Sequence, residues 1–310
     1  MNIQRTNTHR IKKTRADRMF DFCNVFIMLV LIIIMAYPLY FIVIASLSDP
    51  YKVINGKVYL WPADFTLDSY INVFRESSIW KGYYNTIRYT FWGTLFNLAL
   101  TIPAAYILSK KKLAGRKFLS FYFLIPMYFS GGLVPTYLLV NNIGLMNKPY
   151  TLIFLGGISI YNLIVTRIFF QTSIPEELYE SASMDGASHF RVFFQIAMPL
   201  AKPIIAVMAL YYAVAHWNSY FNALIYISND AYQPLQIVLR NILINNQMLL
   251  VGMDTSALSA DEALAAARRQ YMAQGMKYAL IFVSSAPLLV AYPFVQKHFV
   301  KGVMIGSLKG

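Results

Sequence analysis

Apolar residues along this chain gather into long runs instead of the short alternations of a soluble domain, and charged or turn-forming stretches separate the runs. A helix that crosses roughly 30 Å of hydrocarbon needs about 20 mostly apolar residues. Segments near 22–48, 83–109, 118–140, 149–170, 203–228 and 276–296 meet that requirement, which predicts an all-α integral membrane protein of six spans. The first segment holds Val25 to Tyr37 without a charge. It is too long for a signal-peptide core and no small-residue cleavage site follows it, so it is expected to stay in the bilayer. Helix breakers fall inside several spans: Pro38, Pro103, Pro126, Pro135 and Pro287, with the Gly131-Gly132 pair in the third. In lipid the backbone groups they free must be satisfied by neighbouring helices or a water-lined cavity. The kinks therefore have two readings, a pathway between helices or the ordinary tolerance of membrane helices for proline.

Composition strengthens this picture, because 57% hydrophobic and 13% charged residues lie well outside soluble-domain averages. The formal net charge of +13 could point to nucleic acid, yet the basic residues cluster beside apolar runs with no soluble fold to carry them, so no nucleic-acid partner is expected. Membrane orientation explains them better. Arg5, Arg10, Lys12, Lys13, Arg15 and Arg18 precede the first span, and Lys110, Lys111, Lys112, Arg116 and Lys117 follow the second. With six spans, one side carries sixteen Lys and Arg and the other eight, which puts both termini and the loop at 173–203 in the cytoplasm. The chain then divides into a basic tail, 1–21, expected to be mobile; a first helix with its outer loop, 22–82; a core, 83–296, containing a long outer loop at 229–275; and a cytoplasmic tail, 297–310. Lone Cys23 excludes an internal disulfide.

The loop at 173–203 is charged and helix-prone between apolar spans. Ser173 and Glu176 have capping-box spacing with Pro175 in the first turn, so a helix is expected to start there and to end at Gly186. Phe190, Phe193, Phe194 and Ala197 recur at helical spacing, which predicts a second helix with three rings on one stripe, closed by Pro199 and Pro203. Glu176, Glu177, Glu180 and Asp185 outnumber Arg191 and Lys202, so the loop is acidic where cytoplasmic loops are usually basic. Two readings follow, a dock for a basic protein surface or an amphipathic linker lying on the membrane.

Glu180, Ser181 and Ala182, then Asp185, Gly186 and Ala187, then Ile196, Met198 and Pro199 stand at offsets that resemble the EAA loop of ABC-importer permeases. With Pro199-Leu200, the form is similar to the carbohydrate permeases related to the smaller membrane subunit of the maltose transporter. Ser181 and Met198 depart mildly from the usual alanine and leucine. The resemblance also covers His216, Trp217 and Asn218 and the ending from Lys301 to Gly310, and it leans toward the branch for complex oligosaccharides or polysaccharide fragments. It implies the type I ABC-importer permease fold, with the loop as coupling helices seated in an ATPase cleft, Glu180 pairing with a cation there and Gly186 acting as hinge. It also implies a multi-pass place in the bacterial cell membrane among lipid, a second non-identical permease, two ATPase subunits, an extracytoplasmic sugar-binding protein and a carbohydrate substrate. Under the same resemblance, the loop at 229–275, with Ser259 and Glu262 at capping-box spacing, would reach toward the loaded receptor, and the tail would reach toward the ATPases.

Sugars need hydrogen-bonding groups beside flat apolar faces. His216, Trp217 and Asn218 of the fifth span are candidates for the pathway, with Tyr128, Tyr161 and Asn162 behind them; interhelical bonding is the competing reading. No phosphate-binding GxxxxGK[ST] loop, catalytic motif or metal cluster occurs, so no cofactor and no enzymatic activity are expected, and ATP would be hydrolysed by another chain. A self-contained channel or carrier would leave the Glu180 to Pro199 spacing unexplained, and a membrane-embedded enzyme would need acids that the spans lack.

Overall fold

The computed structural model describes residues 14–251, 271, 275–290, 292 and 293, and ordered elements there are helical apart from one antiparallel bridge between Ser48 and Phe65. α1 runs Arg15–Ser46, followed by the short α2 (Pro50–Ile54) and α3 (Asp68–Arg75) and the long α4 (Ser77–Ser109). Then come α5 (Arg116–Tyr128), α6 (Leu133–Asn142), α7 (Thr151–Phe154), α8 (Ile160–Thr172) and α9 (Glu176–Met184). α10 (His189–Arg191) continues through a π turn, Val192–Ala197, into α11 (Met198–Leu200). α12 (Lys202–Trp217), α13 (Phe221–Tyr226), α14 (Leu235–Val251) and α15 (Gly275–Val290) complete the set.

Among the described residues two helices, α1 and α4, are long and apolar enough to cross a membrane without interruption. α1 begins inside the stretch read as a mobile tail, because Thr14 and Asp17 form a reciprocal capping box that gives the basic segment a helix start. Its apolar surface is exposed almost throughout, as suits lipid contact; only Ile44, Ala45 and Ser46 at its end are buried.

The third expected span, 118–140, is not one helix. α5 and α6 meet at 111°, and Gly132 between them has φ +85, a conformation that only glycine adopts without strain. The fourth and fifth segments are also divided. α7 and α8 flank a non-helical stretch containing Gly156 and Gly157, and α12 stops at Trp217 before α13 starts at Phe221. α14 occupies the first part of the segment 229–275 expected as an outer loop. Ser259, Glu262 and the tail at 297–310 lie outside the described residues.

α4 is the central post, with α7, α8, α12 and α14 packed around it. One apolar cluster joins its inner end to α8, the π turn and α12 through Ile102, Ala105, Tyr106, Phe170, Phe193 and Met208. Another joins its outer end to α14 and α15 through Ile79, Trp217, Leu235 and Leu280. Gly82 lets α14 come close, since a Cβ there would stand 3.0 Å from Leu235 Cα. On the outer rim, Asn147 adopts φ +57, and its Oδ1 accepts bonds from the Ser228 N–H, the Ser228 hydroxyl and the Asn229 N–H, tying the turn after α6 to the end of α13.

Candidate functional site: a two-helix hairpin at the inner end of α4

α9 and the rod from His189 to Leu200 form the hairpin expected at 173–203, but its joints differ from expectation in three ways. The Ser173 to Glu176 capping box does not form. Ser173 is the last cap of α8, Pro175 is the N-cap of α9, and the Glu176 carboxylate accepts a bond from Lys111 Nζ at 2.7 Å instead. This ion pair holds Glu176 below the usual carboxylate range and Lys111 above the usual ammonium range, and it ties α9 to the loop after α4. Second, the three phenylalanines do not share one buried stripe. Phe193 is buried, while Phe190 and Phe194 are 77% and 60% exposed. The π turn has a wider repeat than an α-helix, so the buried seam runs through Val192, Phe193 and Ala197 and continues to Ala201. Third, Pro199 lies inside the rod and Pro203 opens α12, at a bend of 78° between the two.

Gly186 does end the first helix. With φ +71 it carries a Schellman closure, its N–H donating to the Ser183 carbonyl and the Ala187 N–H donating to the Ala182 carbonyl. A Cβ at this position meets nothing within 4 Å, so the requirement for glycine comes from backbone strain alone. Of the expected coupling residues, Ala182 is buried against the fold, Ala187 and Ile196 are half-buried, and Glu180, Ser181, Asp185, Phe190 and Pro199 are exposed. Met184, 89% exposed, joins Phe190 and Phe194, so the hairpin presents large apolar side chains on a segment that also carries exposed acidic residues.

What holds the hairpin was not visible in the loop itself. Tyr106, near the end of α4, touches Phe170 of α8, Tyr179 of α9 and Phe193 of the π turn, with ring centroids 5.6, 6.1 and 4.9 Å away. Lys110 Nζ lies between two of these rings, 2.8 Å from the Tyr179 centroid and 4.5 Å from that of Tyr106. Burial pulls this lysine down to about 8, with Glu176 acting in the opposite direction. Two electron-rich ring faces favour the charged form there. Burial, with Tyr106 beside it, pushes the Tyr179 phenol up. Its hydroxyl has no hydrogen-bond partner.

The six expected pathway residues are not gathered at one cavity. His216 is buried, with Nε2 2.7 Å from Asn97 Oδ1, and Asn97 Nδ2 donates to the carbonyls of Gly156 and Gly157 at 3.2 and 2.8 Å. Gly93 makes room for this imidazole, which any Cβ at that position would strike. Trp217 is buried, and its indole N–H donates to the Ser284 carbonyl at 3.3 Å. Asn162 is buried in the first turn of α8 beside the exposed Tyr161, Asn218 is exposed and caps the end of α12, and Tyr128, 75% exposed, stands at the α5–α6 break. One turn from His216, Tyr212 shares a 2.7 Å hydroxyl bond with Thr101 and accepts from the Ser159 N–H. Together these bonds form a polar seam that fastens the α7–α8 break to α4 and α12. The sequence pointed to His216, but Asn97 and Gly93 lie in another element with no motif to mark them.

At the outer end of α4, a cavity of about 300 Å³ is lined by Trp80, Lys81, Tyr84, Arg88 and Tyr232 among others. Flat rings beside cations that pair with no carboxylate among the described residues suit a polar, anionic ligand.

Such a fold, a kinked helical post with a two-helix hairpin at its foot, has a close counterpart among solved structures. The crystal structure of a bacterial ABC transporter involved in the import of the acidic polysaccharide alginate contains a chain that matches with a TM-score of 0.83 and 29% sequence identity, over 93% of this chain and 99% of that one. The class is therefore that of ABC-importer membrane permeases of the type I fold. Residues 10–305 match the family described as binding-protein-dependent transport system inner membrane component, and the chain belongs to that family. It is 39% identical to Protein LplC of Bacillus subtilis (strain 168) over 302 residues, 97% of this chain and 99% of that protein. It is 36% identical to the polygalacturonan/rhamnogalacturonan transport system permease protein YtcP of the same organism, over 95% of this chain and 99% of that protein.

Proposed function

We propose that this chain is one half of the membrane pathway of an ATP-driven importer for oligosaccharides, with acidic units as the first class to test. The other half is a second, non-identical permease; two ATPase subunits sit beneath them and an extracytoplasmic binding protein delivers the sugar. Both termini face the cytoplasm. The observation that carries this reading is the hairpin at 173–203, where Met184 and Phe190 are exposed on a segment that also exposes Glu180 and Asp185, while its base is clamped to α4 by Tyr106 and Lys110. Exposed apolar side chains rimmed by charge are what a partner cleft takes up.

Coupling requires the hairpin to bind the closed ATPase dimer better than the open one, because a partner with equal affinity for both states shifts nothing. Glu180 pairs with a cation of that cleft, and Gly186 keeps the two helices at their angle. The substrate class rests on relatives named for polygalacturonan and rhamnogalacturonan and for alginate, together with the rings and cations of the outer cavity.

The test is uptake of labelled oligosaccharide by the complete transporter in proteoliposomes. Glu180→Lys and Gly186→Val should each abolish uptake while the binding protein keeps its affinity for the sugar. Normal uptake in both variants sinks the coupling role. Uptake of neutral but not acidic oligosaccharides by the unaltered transporter removes the acidic substrate and leaves the coupling role standing.

A further inference from the structure

Between the first turns of α5 and the inner half of α8 lies a second cavity, of about 340 Å³, lined by Arg116, Lys117, Ser120, Phe121, Leu124 and Arg167. Three cations meet there without a carboxylate. Among the described residues the ion pairs are Lys52 with Asp64 and Lys111 with Glu176, neither at this site. Arg167 sits more than a turn inside α8, where an arginine is costly and calls for a partner. Its neighbour across the cavity is another positive charge, Arg116, which opposes it.

Each guanidinium is nevertheless held in place. Arg167 Nη1 donates to Ser120 Oγ at 3.0 Å, and Arg116 Nε donates to the Leu108 carbonyl, at the end of α4, at 3.1 Å. A guanidinium has five N–H donors in a fixed fork, so four on each remain for a ligand. Two positioned forks facing each other match the oxygens of a phosphate, which accepts bidentate bonds from both. The rest of the lining is of another kind. Phe121, 65% exposed, and Leu124 continue the wall along α5 into the apolar zone, where a free inorganic anion has nothing to contact. A carboxylate from a neighbouring subunit would fill little of the volume and leave this wall uncovered. An amphiphile with a phosphodiester head and an acyl chain uses both parts.

We propose that this cavity binds an anionic phospholipid of the inner leaflet, its phosphate between Arg116 and Arg167 and an acyl chain along Phe121 and Leu124. The site is independent of which sugar the transporter carries. It also lies next to the clamp, since Arg116 opens α5 at the far end of the short connection that begins with Lys110 and Lys111, so a bound lipid stiffens the support of the hairpin.

The experiment is a titration of the delipidated full chain in detergent with dioleoyl phosphatidylglycerol, read by native mass spectrometry. Dioleoyl phosphatidylcholine controls for acyl chains and glycerol 3-phosphate for the head alone. Phosphatidylglycerol should bind as a discrete adduct, and Arg116→Gln with Arg167→Gln should weaken it roughly 30-fold, from the contribution of each cation at an anionic surface. Arg167→Lys, which keeps the charge and gives up the fork, should fold normally and lose only part of the affinity; this variant keeps the test decisive if the double variant fails to fold. Equal binding of phosphatidylcholine, equal binding by the double variant, or glycerol 3-phosphate binding as tightly as the lipid overturns the proposal. So does loss of lipid binding when the whole transporter replaces the isolated chain, which would mean that a neighbouring subunit covers the cavity.

Discussion

α1 and α4 are nearly equal in length, 32 and 33 residues, and each contains an internal proline, yet they have opposite relations to the rest of the molecule. The more apolar of the two, α1, buries three residues, whereas α4 buries thirteen, among them Asn85, Thr86, Asn97 and Thr101. In water the apolar face of a helix goes inside. Here lipid takes the apolar face without penalty, and what draws helices together is close backbone approach and hydrogen bonds that lipid cannot supply. Gly82 and Gly93 provide the approach on α4, and Asn85, Asn97 and Thr101 provide the bonds.

The difference between the helices is sharpest at Gly93. Gly93→Val drives a side chain into the His216 ring, an overpacking that should cost about 3 kcal/mol and leave little folded protein, measured by unfolding in bicelles. Near-normal stability would mean that the α4–α12 seam is loose. Asn97→Leu keeps the branched shape but removes the partner of His216 and the donor to Gly156 and Gly157, for a loss of about 2 kcal/mol. If His216→Ala in addition costs as much again, the two residues do not act as one unit.

At the foot of α4 the expected effect is smaller and depends on pH. The folded chain releases the Lys110 proton near pH 8 and the unfolded chain only near 10.4. Between those values the unfolded state binds more protons, so Lys110 adds stability as pH rises, while below about 8 its burial cost is fully present. Coupling runs the other way, because a neutral lysine no longer grips the rings of Tyr106 and Tyr179. From pH 7 to 9, sugar-stimulated ATPase activity should fall severalfold more in the unaltered transporter than in Lys110→Met, which starts low and stays flat. Parallel profiles would remove Lys110 from the transmission path. The smallest effect belongs to α1: Ile33→Ala, on its lipid face, should change stability by less than about 0.5 kcal/mol in the same unfolding assay.

How far these contrasts can be read from sequence follows the same division. α1 was legible because a charge-free apolar run has few alternatives, and Gly186 was legible because a left-handed closure leaves a local mark. The break at 129–132 was half legible. Its glycines stand out, but the flanking residues are apolar enough for a hydropathy window to bridge a turn of 111°. The π turn was not legible, since one wider turn shifts Phe190 and Phe194 off the seam without changing their spacing along the chain. In the candidate site, Glu180, Asp185 and Gly186 lie within the motif that marks them. Tyr106 and Lys110 meet Tyr179 from some seventy residues away, and a contact between distant elements leaves no periodic trace.

One carbonyl oxygen on the outer rim has a mechanical consequence. Asn147 Oδ1 receives three donors from Ser228 and Asn229, and the Asn147 N–H in turn donates to the Tyr226 carbonyl. The turn after α6 and the end of α13 are thereby pinned at one rivet. A tilt of the broken third span would therefore pull directly on the approach to α14.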